Sequence, residues 1–134
     1  MTDDPVREFL TDRGCSPQTI EGGIEGLIDA WEQTVSEVGK GYALTLDDYL
    51  NDLDARQLIA DILTFFGDKL PAGYVERIAT ADLRMQENID IQPVCLWSDT
   101  VAEMEGWNPE DNWWYYARPR NADQSLLDEI DSAE

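Results

Sequence analysis

Apolar residues at Ile20, Ile24, Leu27, Ile28, Trp31, Val35 and Val38 recur every three or four positions. This is the spacing of one face of an α-helix, sustained over five turns. Ser16 supplies a capping hydroxyl and Pro17 suits the first helical position. Gly39 and Gly41 end the run. A helix this long and one-sided must be covered by other elements, and that requirement points to a helical fold. Glu21, Glu25, Asp29 and Glu32 make an acidic stripe on the opposite side. Gly23, Gly26 and Ala30 form a narrow stripe of small residues, which predicts close approach of another backbone inside the same domain.

The flanking segments read in the same way. Pro5 to Arg13 predicts a short helix with Val6, Phe9 and Leu10 on one side and Gly14 as its stop. Thr45 and Asp48 have the spacing of a capping box, and Leu46, Tyr49, Leu50 and Leu53 follow as an apolar face. Asp54 resembles a second cap, with Gln57 at the reciprocal position. The expectation is therefore two helices with a tight joint, the second carrying Leu58, Ile59, Ile62, Leu63 and Phe66 and stopping at Gly67. Pro71 starts a further helix with Tyr74, Val75, Ile78 and Met85 inward and Arg77 and Arg84 outward.

After Asn88 the pattern changes. Ile89 and Ile91 alternate with polar residues, and Pro93 pushes Gln92 to an extended conformation. Val94 to Trp97 and Trp113 to Tyr116 are expected to pair as a minimal ribbon. Between them, Ser98 or Asp99 caps a short helix ended by Gly106, and Asn108-Pro109-Glu110-Asp111 is a turn. From Asn121 the chain carries five acids and no base, and only one weakly docked turn around Leu126, Leu127 and Ile130 is expected. The predicted fold is all-α, a compact bundle of four to six helices with a possible two-stranded C-terminal ribbon. Residues 1–120 form the domain and 121–134 an acidic tail.

With 134 residues, 43% of them apolar, the chain suffices for one domain with its own core. Its charge is the larger anomaly: 29 acidic side chains face 9 basic ones, a formal net charge of -20. Phosphate backbones and anionic membrane surfaces are repelled, so neither nucleic acid nor membrane is an expected partner. A basic protein would be attracted, with an on-rate that rises as salt is lowered. The first residues, Met1-Thr2-Asp3-Asp4-Pro5, lack the apolar run of a secretory leader, and no stretch approaches the ~20 apolar residues of a membrane span. A cytoplasmic location is expected. Lysine occurs only at Lys40 and Lys69, and Asp outnumbers Glu by 17 to 12, which is also the composition a salt-adapted proteome produces.

No histidine is present. Nucleophile–histidine pairs and imidazole metal ligands are therefore excluded within the chain. Cys15 and Cys95 form no CxxC and are expected as free thiols. The acidic knot of Asp47, Asp48, Asn51, Asp52 and Asp54 fails as a calcium loop. Counting from Asp52, the sixth residue is Gln57 where Gly is needed and the twelfth is Leu63 where Glu is needed. Asn108-Glu110-Asn112 fails similarly at Trp113. There is no GxGxxG and no Walker loop, and Ser36 to Lys40 is one residue too long for SxxK. No cofactor, metal or catalytic residue is expected.

The aromatics carry more weight. Trp97, Trp107, Trp113, Trp114, Tyr115 and Tyr116 lie within twenty residues, followed by Arg118-Pro119-Arg120. Such residues either close a small core or form interaction hot spots. Arg118 and Arg120 are expected to pair with the domain's own carboxylates.

In size and charge the chain is similar to small acidic inhibitor and immunity proteins, a resemblance of composition that carries no motif. The leading expectation is a non-enzymatic acidic binding protein for a cationic protein. Its contacts would be Glu21, Glu25, Asp29, Glu32, Asp47, Asp48 and Asp52, with Trp107, Trp113, Trp114 and Tyr116. The alternatives are an accessory domain whose acidity is salt adaptation, and a small carboxylate-dependent glycoside hydrolase using acids such as Glu103, Glu105 or Glu110 beside the tryptophans.

Overall fold

The structure is a computed structural model that describes residues 5–132, the side chain of residue 68 aside. It is a helical bundle with one small ribbon, as expected. The elements run α1 (Pro5–Asp12), α2 (Pro17–Lys40), α3 (Leu46–Phe66), α4 (Ala72–Gln86), β1 (Ile89–Ile91), α5 (Asp99–Glu105), β2 (Ala117–Pro119) and α6 (Gln124–Ser132).

Helix α2 is the spine, packed on α1, α3 and α4. Its apolar stripe is buried from Ile24 to Val38, with Ile28, Trp31 and Val38 fully enclosed. Leu53, Ile59 and Ile62 of α3 and Ile78, Ala81 and Met85 of α4 complete the core. Burying each large side chain contributes roughly 1.5–3 kcal/mol. The caps form where the sequence placed them. Ser16 accepts from the Thr19 amide, and Thr45 and Asp48 make a reciprocal capping box. Gly106 ends α5 at φ 77°, a left-handed conformation that glycine adopts without strain.

Five expectations are corrected. First, Gly26 and Ala30 of the small-residue stripe of α2 are not closely packed. A Cβ at Gly26 would touch nothing within 4 Å, and Ala30 is exposed. Gly23 matters for another reason: at φ 61° and ψ -154° it breaks the helical geometry and kinks α2, in a region open essentially only to glycine. Second, α3 runs unbroken through Asp54, whose carboxylate is occupied by tertiary partners rather than by a cap. Third, Val75 is exposed, and α4 turns Ile78, Ala81 and Met85 inward.

Fourth, neither expected strand forms: Val94–Trp97 is bend and turn, Trp113–Tyr116 is a 3-10 turn, and the ribbon is built from the residues flanking them. There β1 pairs antiparallel with β2, in the register Ile89↔Pro119, Asp90↔Arg118 and Ile91↔Ala117. A strand would send alternate residues outward, whereas the turn buries Trp114, Tyr115 and Tyr116 together. Fifth, residues 124–132 of the expected tail form α6, with Leu126 and Ile130 buried. Backbone bonds between Tyr42 and residues 121 and 123 tie its start to the end of α2.

As expected, Arg118 pairs with Asp131 and Arg120 with Asp90. Cys15 and Cys95 are free thiols. No helix among the described residues is long and apolar enough to cross a membrane.

Candidate functional site

Two aspartates on adjoining helices are each held by an indole N–H, and they differ in what completes them. Asp82 of α4 accepts from Trp31 Nε1 at 2.9 Å. It also accepts from Arg56 Nε at 2.9 Å and from Arg56 Nη2 at 2.8 Å, a two-pronged grip by one guanidinium. Arg56 is 5% exposed, and its guanidinium carbon lies 4.3 Å from the centre of the Trp114 ring. A buried charge is thus neutralised inside the chain and stacked on an aromatic face. Arg56 Nη1 and Trp114 Nε1 have no hydrogen-bond partner among the described residues, so this buried site is incompletely satisfied.

Asp54, two residues before Arg56 on α3, is built from the same parts without the cation. Its Oδ1 accepts from Trp97 Nε1 at 3.3 Å and from the Tyr115 hydroxyl at 2.6 Å. No hydrogen bond to its Oδ2 is found among the described residues. Asp54 lines an open cleft of about 610 Å³ with Trp97, Trp107, Tyr115, Glu105 and Asp61 as principal neighbours. Trp107 stacks on Tyr115, with ring centres 4.1 Å apart. Trp97 is 36% exposed. The residue after it, Ser98, has φ 104°, a strained value for a side chain with a Cβ, while its hydroxyl caps α5. Burial and the adjacent Asp54 both push the Tyr115 hydroxyl well above the usual tyrosine range, burial being the larger cause. Tyr115 therefore stays a neutral donor to Asp54.

The hydrogen bonds among the other lining residues leave acceptors unspent. Asn112 Nδ2 donates to Gln57 Oε1, and Gln57 Nε2 donates to Asp61 Oδ1. Arg13 Nη1 is 2.7 Å from Asp61 Oδ2. One donor nitrogen each of Arg13, Gln57, Asn112 and Trp97, and the Tyr115 hydroxyl, thus face partners within the chain. The carboxylates of Asp54 and Glu105 face the cleft with acceptor capacity in reserve.

The residues singled out from the sequence are dispersed. Of the partner contacts named there, only Trp107 lines this cleft. Trp114 and Tyr116 are buried, and Trp113 sits half-buried with its ring edge against Trp31. Asp29 and Glu32 are bridged by Arg77 of α4, so the acidic stripe of α2 is interrupted by an internal cation. Glu21 and Glu25 are exposed, as is Asp47. Asp48 serves the capping box. Asp52 accepts from the Tyr42 hydroxyl. Burial raises its pKa; the Tyr42 bond opposes that shift, while Glu37 and Asp48 add to it. Of the acids considered for sugar hydrolysis, Glu105 lines the cleft and Glu103 and Glu110 do not.

The sequence reading missed Asp54 as an anchor and Trp97 as its partner. The available signal was weak: an aspartate followed two and three residues on by Arg56 and Gln57, with surplus tryptophans about 40 residues further along. Among the described residues no group of three or more Cys, Asp or Glu is arranged to hold a metal ion. Burial pushes the Cys95 thiol up, so it is not poised as a thiolate. No protein-family model, no curated protein and no solved structure matches the chain.

Proposed function

We propose that this is a non-enzymatic acidic binding protein that engages a cationic protein, with the Asp54 cleft at the contact surface. The observation that carries the reading is the contrast in cation supply. Arg13, Arg56, Arg77, Arg118 and Arg120 are all committed to carboxylates of the chain. Asp54 is nevertheless held in place by two aromatic donors, beside a solvent-open cleft, without a cation of its own. Exposed carboxylates around it would speed the approach of a basic partner. Trp97 and Trp107 would supply the contact area that lengthens its stay.

The test is affinity capture by the immobilised chain at low and high salt, using a panel of purified basic and acidic proteins alongside host lysate. Basic proteins should be enriched at low salt, released at high salt, and lost from an Asp54→Asn column. If no basic protein is enriched at low salt, the reading fails.

One observation favours a second reading. Asp54, Asp61 and Glu105 share the cleft with two tryptophans, a composition compatible with stacking a sugar. Tryptophan fluorescence during titration with neutral oligosaccharides separates the two: a saturable change there, with none on adding basic proteins, would favour the carboxylate hydrolase.

A further inference from the structure

We infer that the Asp54 cleft is a socket for one arginine side chain of the partner, an inference that rests on the binding reading above and names its chemistry. The internal precedent is the buried site two residues along α3, at Arg56. There the protein solves the same problem with Arg56: two nitrogens on one carboxylate, the guanidinium plane over Trp114, and an indole N–H on the same carboxylate. The cleft repeats the carboxylate and the indole donor at Asp54 and Trp97. It adds aromatic surface from Trp107 and a second acceptor at Glu105.

Charge arithmetic narrows the occupant. The lining carries three carboxylates, Asp54, Asp61 and Glu105, against one cation, Arg13, which Asp61 engages. What is left uncompensated is the charge of Asp54 and Glu105, beside flat aromatic walls. An occupant made only of donors, planar and positively charged, fits that description. A guanidinium meets all three conditions, and its plane stacks on indole. An ammonium is a compact point charge with three donors and gains less from the walls. A neutral sugar brings as many acceptors as donors and leaves the carboxylates uncompensated.

The test is a titration of the full chain with a capped arginine peptide, followed by tryptophan fluorescence, beside matched lysine and citrulline peptides. Citrulline keeps the shape and removes the charge. The expected order is arginine first, lysine about tenfold weaker, and citrulline undetected at the same concentrations. Asp54→Asn and Glu105→Gln should each weaken arginine binding by about tenfold. Glu105 is exposed, and its variant guards against loss of folding as the explanation. Equal binding of arginine and citrulline overturns the socket, as does arginine binding that both variants leave unchanged. A saturable response to neutral oligosaccharide alone does so too. If basic proteins are still captured at low salt while the arginine peptide fails, the socket falls and the wider binding reading stands. If both fail, both fall.

Discussion

Asp82 and Asp54 are the same construction in two states of completion. Each carboxylate accepts an indole N–H, from Trp31 in one case and Trp97 in the other. Asp82 then receives a buried guanidinium from Arg56, and its side chain is only 18% exposed. Asp54 receives the Tyr115 hydroxyl and opens on a cleft. The difference teaches where electrostatics holds the fold and where it is left over for something else. A closed pair joins α3 to α4 and brings in α2 through Trp31. An open carboxylate, oriented but uncompensated, is what a binding surface requires.

Breaking the closed site should have the largest effect. Arg56→Met leaves Asp82 charged, partly buried and without its counter-ion, which is expected to cost about 3 kcal/mol in urea unfolding. Adding Asp82→Leu should restore most of that loss, because removing both charges avoids the unpaired one. The unpartnered Arg56 Nη1 already points to an imperfect pair whose removal is tolerable. A double variant no more stable than the single one would show that the pair itself, rather than the avoided orphan charge, holds the helices.

The open site should respond in the opposite proportions. Trp97→Ala removes a partly exposed ring and is expected to cost about 1 kcal/mol of stability or less, while abolishing capture of basic proteins. Asp54→Asn should change stability by less than about 1 kcal/mol, since an amide oxygen can still accept from Trp97 and Tyr115. A loss from Asp54→Asn as large as that from Arg56→Met, measured under the same conditions, would erase the distinction between the two sites.

Asp52 gives a third, intermediate case and the smallest effect. It too is held by an aromatic donor, Tyr42, and burial raises its pKa in the folded protein. An aspartate shifted upward favours the fold most when protonated. Its contribution is therefore full below the unfolded value of about 3.9 and is lost as pH rises through the folded pKa. Asp52→Asn removes that loss. The melting temperature of the variant relative to the parent should rise between about pH 4 and pH 7, and thermal melts across that range check the sign.

How much of this was legible in the sequence follows from the range of the interactions. The stripe from Ile20 to Val38, the Thr45–Asp48 box and the Gly106 stop are local patterns, and each reads directly. Gly26 and Ala30 looked like packing because small residues at helical spacing have that meaning on average, and the backbone angle that Gly23 supplies has no sequence pattern of its own. Tyr115 and Tyr116 looked like strand residues because propensity cannot register that three consecutive aromatics must all turn inward. Residues 124–132 looked like a tail because the two side chains that dock them, Leu126 and Ile130, are diluted among acids. The cleft was invisible for a different reason. Arg13, Asp54, Trp97 and Glu105 come from four separate stretches, and nothing periodic links them.

The chain carries five tryptophans, and their indole N–H resonances give each aspartate its own reporter through Trp31 and Trp97. Following them by NMR while a capped arginine peptide is added is the most direct test. The Trp97 signal should move and saturate while the Trp31 signal stays in place, because Asp82 already holds its cation. A stationary Trp97 signal, or equal movement of both, would contradict the claim that one site is closed and the other open.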